Sequence, residues 1–471
     1  MPGLTRASVW IRADLVNFHF LPTDLLFLGT LILGLGYCRH AARDPLARAR
    51  WAKVLSSSGG GVACLVLGLY VTVAVLDSVR IESEQGAPLT VLDRLLTPLR
   101  TGVETTYSAP FATHAHAREN LERSPGVWVR DYPRLQFGGR HLAQPQDEAV
   151  GDLVRRSLRG AAIGFALLGL LTLAINRARR RPLRHAFGQW CEPVWRWHWL
   201  ALCTLCLGIA IVGSLAGGWH VLGTDKVGQD VLYLSLKSVR TGLVLAALAS
   251  LITLPIAVVL GILAGYRRGW VDDVIQYLYT TLSSIPGVLL IAAAALSLDL
   301  LLTREAGALH SLALRADLRL LALCAVLGLT GWTSLCRLLR AETMKLRTVE
   351  FIASARALGS SPGTLLRRHL LPNLMPLVII TTVLDFSSLV LAEAVLTYID
   401  IGVDPSTESW GNMINGARLE LAREPVIWWS LASALGGMFG LVLAANVFAD
   451  TVRDAFDPRL GPDARGVHGF A

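Results

Sequence analysis

Lysine is scarce in this chain: 471 residues hold four, Lys53, Lys226, Lys237 and Lys345, and none follows a glycine. A phosphate loop of the form G-x-x-x-x-G-K-[ST] needs a Gly-Lys step, so it is excluded, and any nucleotide-derived energy must come from elsewhere. The pattern H-E-x-x-H is missing as well, which leaves a zinc-hydrolase reading without a motif. Charge of either sign is sparse, 17% of residues against about a quarter in an average soluble domain. Cysteine is missing from the longest polar stretch, between Asp77 and Asp152. Cys38, Cys64, Cys191, Cys203, Cys206, Cys324 and Cys336 all sit in or beside apolar segments. A disulfide framework is therefore not expected, and Cys203-x-x-Cys206, set among Leu, Ala, Ile and Trp, reads as small residues on an apolar helix.

What the chain has in quantity is hydrophobic sequence: 53% of residues, with a mean hydropathy of +0.49. Uncharged runs recur that are long enough to cross about 30 Å of hydrocarbon, so the sequence predicts an all-α, polytopic integral membrane protein. Nine candidate spans can be read: Leu15 to Cys38, Val54 to Leu76, Gly160 to Asn176, Trp197 to Trp219, Thr241 to Tyr266, Val274 to Leu298, Leu320 to Cys336, Leu374 to Ile399 and Pro425 to Ala449. The first carries Pro22 and Asp24, so the count is eight or nine. No small-residue cleavage site follows this first run, and Arg39, Arg43, Arg48, Arg50 and Lys53 come directly after it, which favours a span over a cleaved signal. The formal charge of +9 is concentrated beside apolar runs, notably Arg177 to Arg184 and the stretch 341–373. That bias sets membrane orientation and gives no reason to expect nucleic acid.

Five regions follow: N-terminal spans over 1–77, a polar extracytoplasmic insertion over 78–152, a membrane hairpin over 153–219, a transmembrane domain over 220–460, and a short tail over 461–471. The insertion contains His114, His116 and His141, but no acidic or cysteine ligand stands at a useful spacing. These read as solvated histidines, and no metal is expected. Thr224 or Asp225 is placed to cap a helix whose Val231, Leu232 and Leu236 would lie on the membrane surface.

The stretch Ala341 to Asn373 is polar and lies between two strongly apolar segments. Ala341 to Leu358 lacks Pro and Gly, and Phe351, Ala355 and Leu358 recur at i, i+4 and i+7, one face of a helix that needs something to lie on. Gly359 suits the left-handed residue that ends such a helix, and Ser361-Pro362 then opens a second one. That second helix should run through Leu365, Leu366 and Leu370 until Pro372 and Pro376 interrupt it.

At these residues the chain resembles the inner-membrane permeases of binding-protein-dependent ABC importers, in the dipeptide, oligopeptide and nickel branch. The family loop reads E-A-A, three residues, Gly, nine residues, then I-x-L-P. Here Ala353, Ser354 and Ala355 stand at E-A-A, Gly359 at the glycine, His369 at the Ile and Leu371-Pro372 at the end. A-R-A-L-G (Ala355 to Gly359, including Arg356 and Leu358) and R-H-x-L-P-N (Arg368 to Asn373) match the branch, whereas the motif Glu is replaced by Ala353. Three further segments are similar to the family in the right order: L-G-T-D-K-V-G-Q-D-V at Leu222 to Val231, which includes Asp230; S-W-G-N-M at Ser409 to Met413; and R-D-A-F-D-P-R at Arg453 to Arg459. The resemblance covers about half the chain. It implies a six-helix core and a multi-pass protein of the bacterial inner membrane. It further implies two cytoplasmic ATPase subunits that receive the loop as a coupling helix, a second related permease, a solute-binding protein outside, and no cofactor. ATP-driven closure of the ATPases would then rock the core between inward- and outward-open states.

Asp385 and Glu393 fall inside the eighth apolar run. A carboxylate at mid-membrane costs about 2.5–3.5 kcal/mol on insertion scales, so each faces either a watery pathway or paired donors inside the bundle. They also support a rival reading, an ion- or proton-coupled secondary transporter, but that rival leaves 341–373 without a role. A membrane scaffold is a third reading, and the carboxylates argue against it. The solute is not legible from the pore-lining types.

Overall fold

The structure, a computed structural model, describes residues 18–82, 88–124, 127–178, 195–304 and 312–456. Cys191, most of the Arg177 to Arg184 cluster and the end of the C-terminal motif, from Asp457, lie outside the described residues.

Helices dominate. The chain begins with a short strand β1 (Phe18–His19), then α1 (Pro22–Ala41), α2 (Pro45–Ser56) and α3 (Ser58–Ser78). The insertion contributes β2 (Arg80–Glu82), β3 (Pro88–Thr90), α4 (Val91–Leu95), α5 (Thr97–Thr101), β4 (Glu119–Ser124) and β5 (Val127–Asp131). There follow α6 (Pro145–Ala178), α7 (Arg196–Ala216), α8 (Val231–Arg267), α9 (Trp270–Ser284), α10 (Gly287–Arg304), α11 (Leu312–Gly331), α12 (Thr333–Leu346) and α13 (Glu350–Ala357). The last three are α14 (Pro362–Tyr398), α15 (Trp410–Glu420) and α16 (Trp429–Phe456).

Among the described residues six helices are long and apolar enough to cross a membrane: α3, α6, α7, α8, α14 and α16. The sequence had offered eight or nine spans. Two of the differences are helices that form but carry charge, α1 with Asp24 and Arg39, and α11 with Arg315, Asp317 and Arg319 in its first turns. A third is the predicted span Val274 to Leu298, which is two helices bent by 89° between Ser284 and Gly287. Pro286 lies in that break and cannot donate the hydrogen bond that would continue α9. The predicted span Leu320 to Cys336 also divides, with Trp332 as the junction between α11 and α12.

At 37 residues, a length shared with α14, α8 spans about 55 Å at about 1.5 Å per residue. It is capped by Asp230, whose carboxylate accepts from Leu232 N at 2.9 Å and Tyr233 N at 3.3 Å. The caps expected from sequence, Thr224 and Asp225, do other work. The predicted surface helix at Val231 is also corrected: Val231 is fully buried and the helix continues without a break into the span. Small residues set how closely its neighbours approach. A Cβ on Gly261 would stand 2.8 Å from Cys336 O, and one on Gly265 2.7 Å from Arg340 O, so this G-x-x-x-G pair seats α12 directly on α8. The same device joins α6 to α7, where a Cβ on Gly160 would lie 2.6 Å from Ile211 Cα.

Above the core sits the insertion. β2 pairs antiparallel with both β1 and β3, and β4 with β5. Its attachment is polar and buried. His220 Nδ1 lies 2.8 Å from Asp230 and its Nε2 3.3 Å from Glu104. Glu104 also accepts backbone N–H groups of Gln136, Phe137 and Gly138 at 2.8, 2.8 and 3.0 Å. Burial works against both charges, but these hydrogen bonds outweigh it: Glu104 is held down at about 2 and His220 is raised to about 9. Thr224, fully buried, donates to Thr106 O at 2.9 Å and accepts from Ser108 N at 2.7 Å. Asp225 closes the turn before α8 by accepting from Val227 N at 3.0 Å and Gln229 N at 2.8 Å. Gly228 takes φ +77° there and lies so close to the Glu104 backbone that any side chain would collide with it.

A second polar cluster ties α1 and α3 to the core. Arg240 of α8 binds Asp24 through Nε at 2.8 Å and through Nη2, with Asp317 of α11 at 3.9 Å. Lys237, one turn away, reaches Asp93 at 3.2 Å and Asp77 at 3.8 Å. Asp24 thus belongs to a buried ion pair, the feature that had weakened the first predicted span.

Two outcomes follow. A histidine whose folded-state pKa is raised stabilises below its unfolded value and loses that contribution as pH rises. The clamp should therefore hold at pH 6 and loosen as pH climbs from about 6.5 through about 9, read as hydrogen exchange at 104–138. His220→Gln should remove that pH dependence. Gly265→Leu should push α12 off α8 and lower the melting temperature of the purified protein by several degrees, whereas Gly68→Leu, at an open helix surface, should not.

Candidate functional site

The stretch 341–373 forms a knob at one end of the bundle. The predicted uninterrupted helix is two helices: α12 ends at Leu346, the chain turns through Arg347–Val349, and α13 begins at Glu350. Arg347 Nη1 donates to Tyr266 O at 3.1 Å, the last turn of α8, which fixes the turn. Arg340 forms a two-pronged pair with Asp272 of α9, at 2.5 and 2.8 Å. The knob is therefore anchored to both α8 and α9.

The residue that faces inward is Ile352, fully buried against Leu365 and Leu370, with Tyr266, Leu346, Ala355 and Leu366 around it. The predicted face points mostly the other way. Phe351 is 43% exposed and Leu358 87% exposed, while Ala355 is half-buried between them. Ala353, Ser354, Arg356 and Gly359 are exposed beside them. The side chain of Arg356 lies over the Tyr266 ring at 5.7 Å, and Phe351 stands 6.3 Å from His369. Two large apolar groups thus stand out on a small, well-anchored helix.

The end of α13 follows the sequence. Gly359 takes φ +81°, Ser360 N donates to Ala355 O at 3.1 Å and Gly359 N to Arg356 O at 3.0 Å, which is the Schellman arrangement. Ser361 caps α14 and Pro362 occupies its first turn. Pro372 and Pro376, however, do not interrupt the helix. The segment Leu365–Leu370 widens into a π turn, with Leu371 N bonded to Leu366 O, and the helix continues to Tyr398. Asn373 Nδ2 donates to His369 O at 2.7 Å, satisfying a carbonyl near the proline. A wide turn of this kind recovers pairing that proline would otherwise remove.

The two carboxylates of α14 part company. Glu393 is 1% exposed, accepts from Thr397 Oγ1 at 3.0 Å and is also bonded by the Ser409 hydroxyl. It braces the turn before Trp410, itself buried against Gly242, Gly437 and Tyr70. Asp385 is half-buried and has no side-chain partner among the described residues. The outer residues Thr224, Asp225 and Asp230 are grouped under the insertion, remote in the fold from the knob. Sequence reasoning missed Ile352, Tyr266 and the Arg340–Asp272 pair. An arginine within α12 and an acidic residue in the first turn of α9 were the available signal for the last.

The model of the family described as binding-protein-dependent transport system inner membrane component matches residues 257–462. Over 320 residues the chain is 29% identical to a Brucella suis protein that carries the name peptide permease, covering 68% of this chain and 95% of the relative. It is 29% identical over 315 residues to the oligopeptide transport system permease protein OppC of Mycobacterium bovis, 67% of this chain and 96% of that one. It is 30% identical over 243 residues to the glutathione transport system permease protein GsiD of Pectobacterium atrosepticum, 51% of this chain and 73% of the relative. With an anchored knob, a set of apolar helices and these likenesses together, the chain belongs to the family of inner-membrane components of binding-protein-dependent transport systems, as a multi-pass permease subunit of an ABC importer.

Proposed function

We propose that this subunit moves peptides across the inner membrane and that 341–373 is its coupling loop, seated in a groove of a cytoplasmic ATPase. The observation that carries the proposal is the division of α13 into two faces: Ile352 locked into the protein, Phe351 and Leu358 left bare on a helix tied to α8, α9 and α14. An exposed apolar pair on so small an element is accounted for by a partner that covers it. Arg356, Ala353, Ser354 and Gly359 would form the rest of that contact, with His369 and Pro372 at its edge. Peptide cargo is favoured by the names of the relatives, a peptide permease and an oligopeptide permease among them. In this reading a pair of ATPase subunits serves this chain and a second, related permease, while a solute-binding protein delivers cargo from outside. Residues 220–460 are the transport domain. The spans of 1–77 and the hairpin of 153–219 support it, and the insertion of 78–152 caps its outer end.

Two variants test the coupling role. Gly359→Val meets no atom within 4 Å, so its effect comes from the left-handed backbone that a β-branched residue resists by about 1–2 kcal/mol. ATP-driven uptake by vesicles should fall at least tenfold with normal membrane insertion; undiminished uptake would refute the role. Leu358→Asp removes nothing from the interior, since Leu358 is 87% exposed. It should leave the melting temperature unchanged and abolish co-purification of the ATPase.

A further inference from the structure

Among the described residues, the acidic side chains that are buried or half-buried within helices are paired, with one exception. Asp24 and Asp317 bind around Arg240, Asp77 accepts from Thr90 and lies near Lys237, Asp272 holds Arg340, and Glu393 accepts from Thr397. Asp385 is different. Among the described residues no ammonium, guanidinium, hydroxyl or backbone N–H meets its carboxylate. The hydroxyls one turn away are engaged by their own helix: Thr381 donates to Leu377 O at 2.8 Å and Ser388 to Asp385 O at 2.8 Å. Position sharpens the contrast. Asp385 lies 13 residues beyond Pro372 and 13 before Tyr398, about 20 Å from each at about 1.5 Å per residue, the middle of the apolar part of α14. It flanks the helix face on which Leu384, Leu391 and Val395 are 41–49% exposed.

An unpaired carboxylate at that depth is tolerated where water reaches it, and is otherwise confined to sites that supply a counter-charge. A bare metal ion is a poor occupant, because no cluster of three or more His, Cys, Asp or Glu that could hold one exists among the described residues. A protonated amine fits: it needs one carboxylate, it carries its own donors, and the apolar side chains beside Asp385 suit the carbon that bears it. Resting on the peptide reading above, we propose that Asp385 is a specificity-determining residue of the translocation pathway, which receives the ammonium group of the cargo on the same continuous helix that carries the coupling loop. Engagement at Asp385 would then load the rod whose lower end is gripped by the ATPase. Glu393, paired and enclosed, takes no part in recognition.

The complete assembly, reconstituted in vesicles, tests this in two ways. In the first, Asp385 of the unmodified protein is exposed to a water-soluble carbodiimide with an amine tag and followed by mass spectrometry. Tagging is expected, and trialanine should suppress it at least fivefold while N-acetyltrialanine does not. Acetyl-Ala-Lys-Ala separates the two sources of the ammonium: suppression assigns recognition to any amine, its lack to the α-amino group alone. Tagging by a lipid-soluble carbodiimide only, no tagging at all, or equal suppression by trialanine and its acetylated form would overturn the proposal. In the second, Asp385→Asn should lower trialanine uptake at least tenfold, with Asp385→Glu retaining most of it and the melting temperature unmoved; unchanged uptake by Asp385→Asn would overturn it. A complete lack of ATP-driven trialanine uptake by the wild type would count against the peptide reading instead, and the tagging result would still decide the role of Asp385.

Discussion

Helices in hydrocarbon gain nothing from hiding apolar surface from one another, so their contact rests on how nearly two backbones can approach. In this protein that approach is made by glycine at matched positions. Gly261 and Gly265 bring α12 onto α8, Gly328 admits Ile252 between α11 and α8, and Gly160 and Gly164 close the α6–α7 hairpin. The placement of 341–373 depends on the first of these, because α12 leads directly into α13. At Gly261 and Gly265 the backbone of α12 and its Cβ atoms lie directly against the backbone of α8.

Polar pairing handles the outer side. Arg240 and Lys237 lie one turn apart on α8 and gather acidic residues from α1, α3, α4 and α11. The Glu104–His220–Asp230 group does the same for the insertion. Buried ion pairs are weak contributors to net stability, yet leaving one partner alone is costly, so they specify register more than strength. The added N-terminal spans are thereby held in one place on a core that the family model describes only from residue 257 onward.

Much of this was legible beforehand. Fold class followed from uncharged runs, and the corners of 341–373 from motif spacing, with Gly359 and Ser361-Pro362 placed as the structure has them. Local signals failed where tertiary pairing decided. Asp24 looked like a flaw in a span because its partner Arg240 is 216 residues away. Thr224 and Asp225 looked like the caps because the sequence does not show that the insertion claims Thr224 through Ser108 and Thr106, which leaves Asp230 to cap α8. Pro372 looked like a helix stop because nothing in the sequence announces the π turn that absorbs it. The two carboxylates of α14 were equivalent on paper, and only the donors around Glu393 separate them. Family membership likewise removes the need for an ion-coupled carrier to explain them.

That π turn also has a geometric effect on everything above it. Successive residues of an α-helix are offset by about 100°, so one surplus residue within Leu365–Leu370 re-aims the upper helix by roughly that angle relative to the loop. The exposed face of α13 and the face of α14 that carries Asp385 are therefore indexed separately along the chain. Each can be retuned by substitution without misaligning the other.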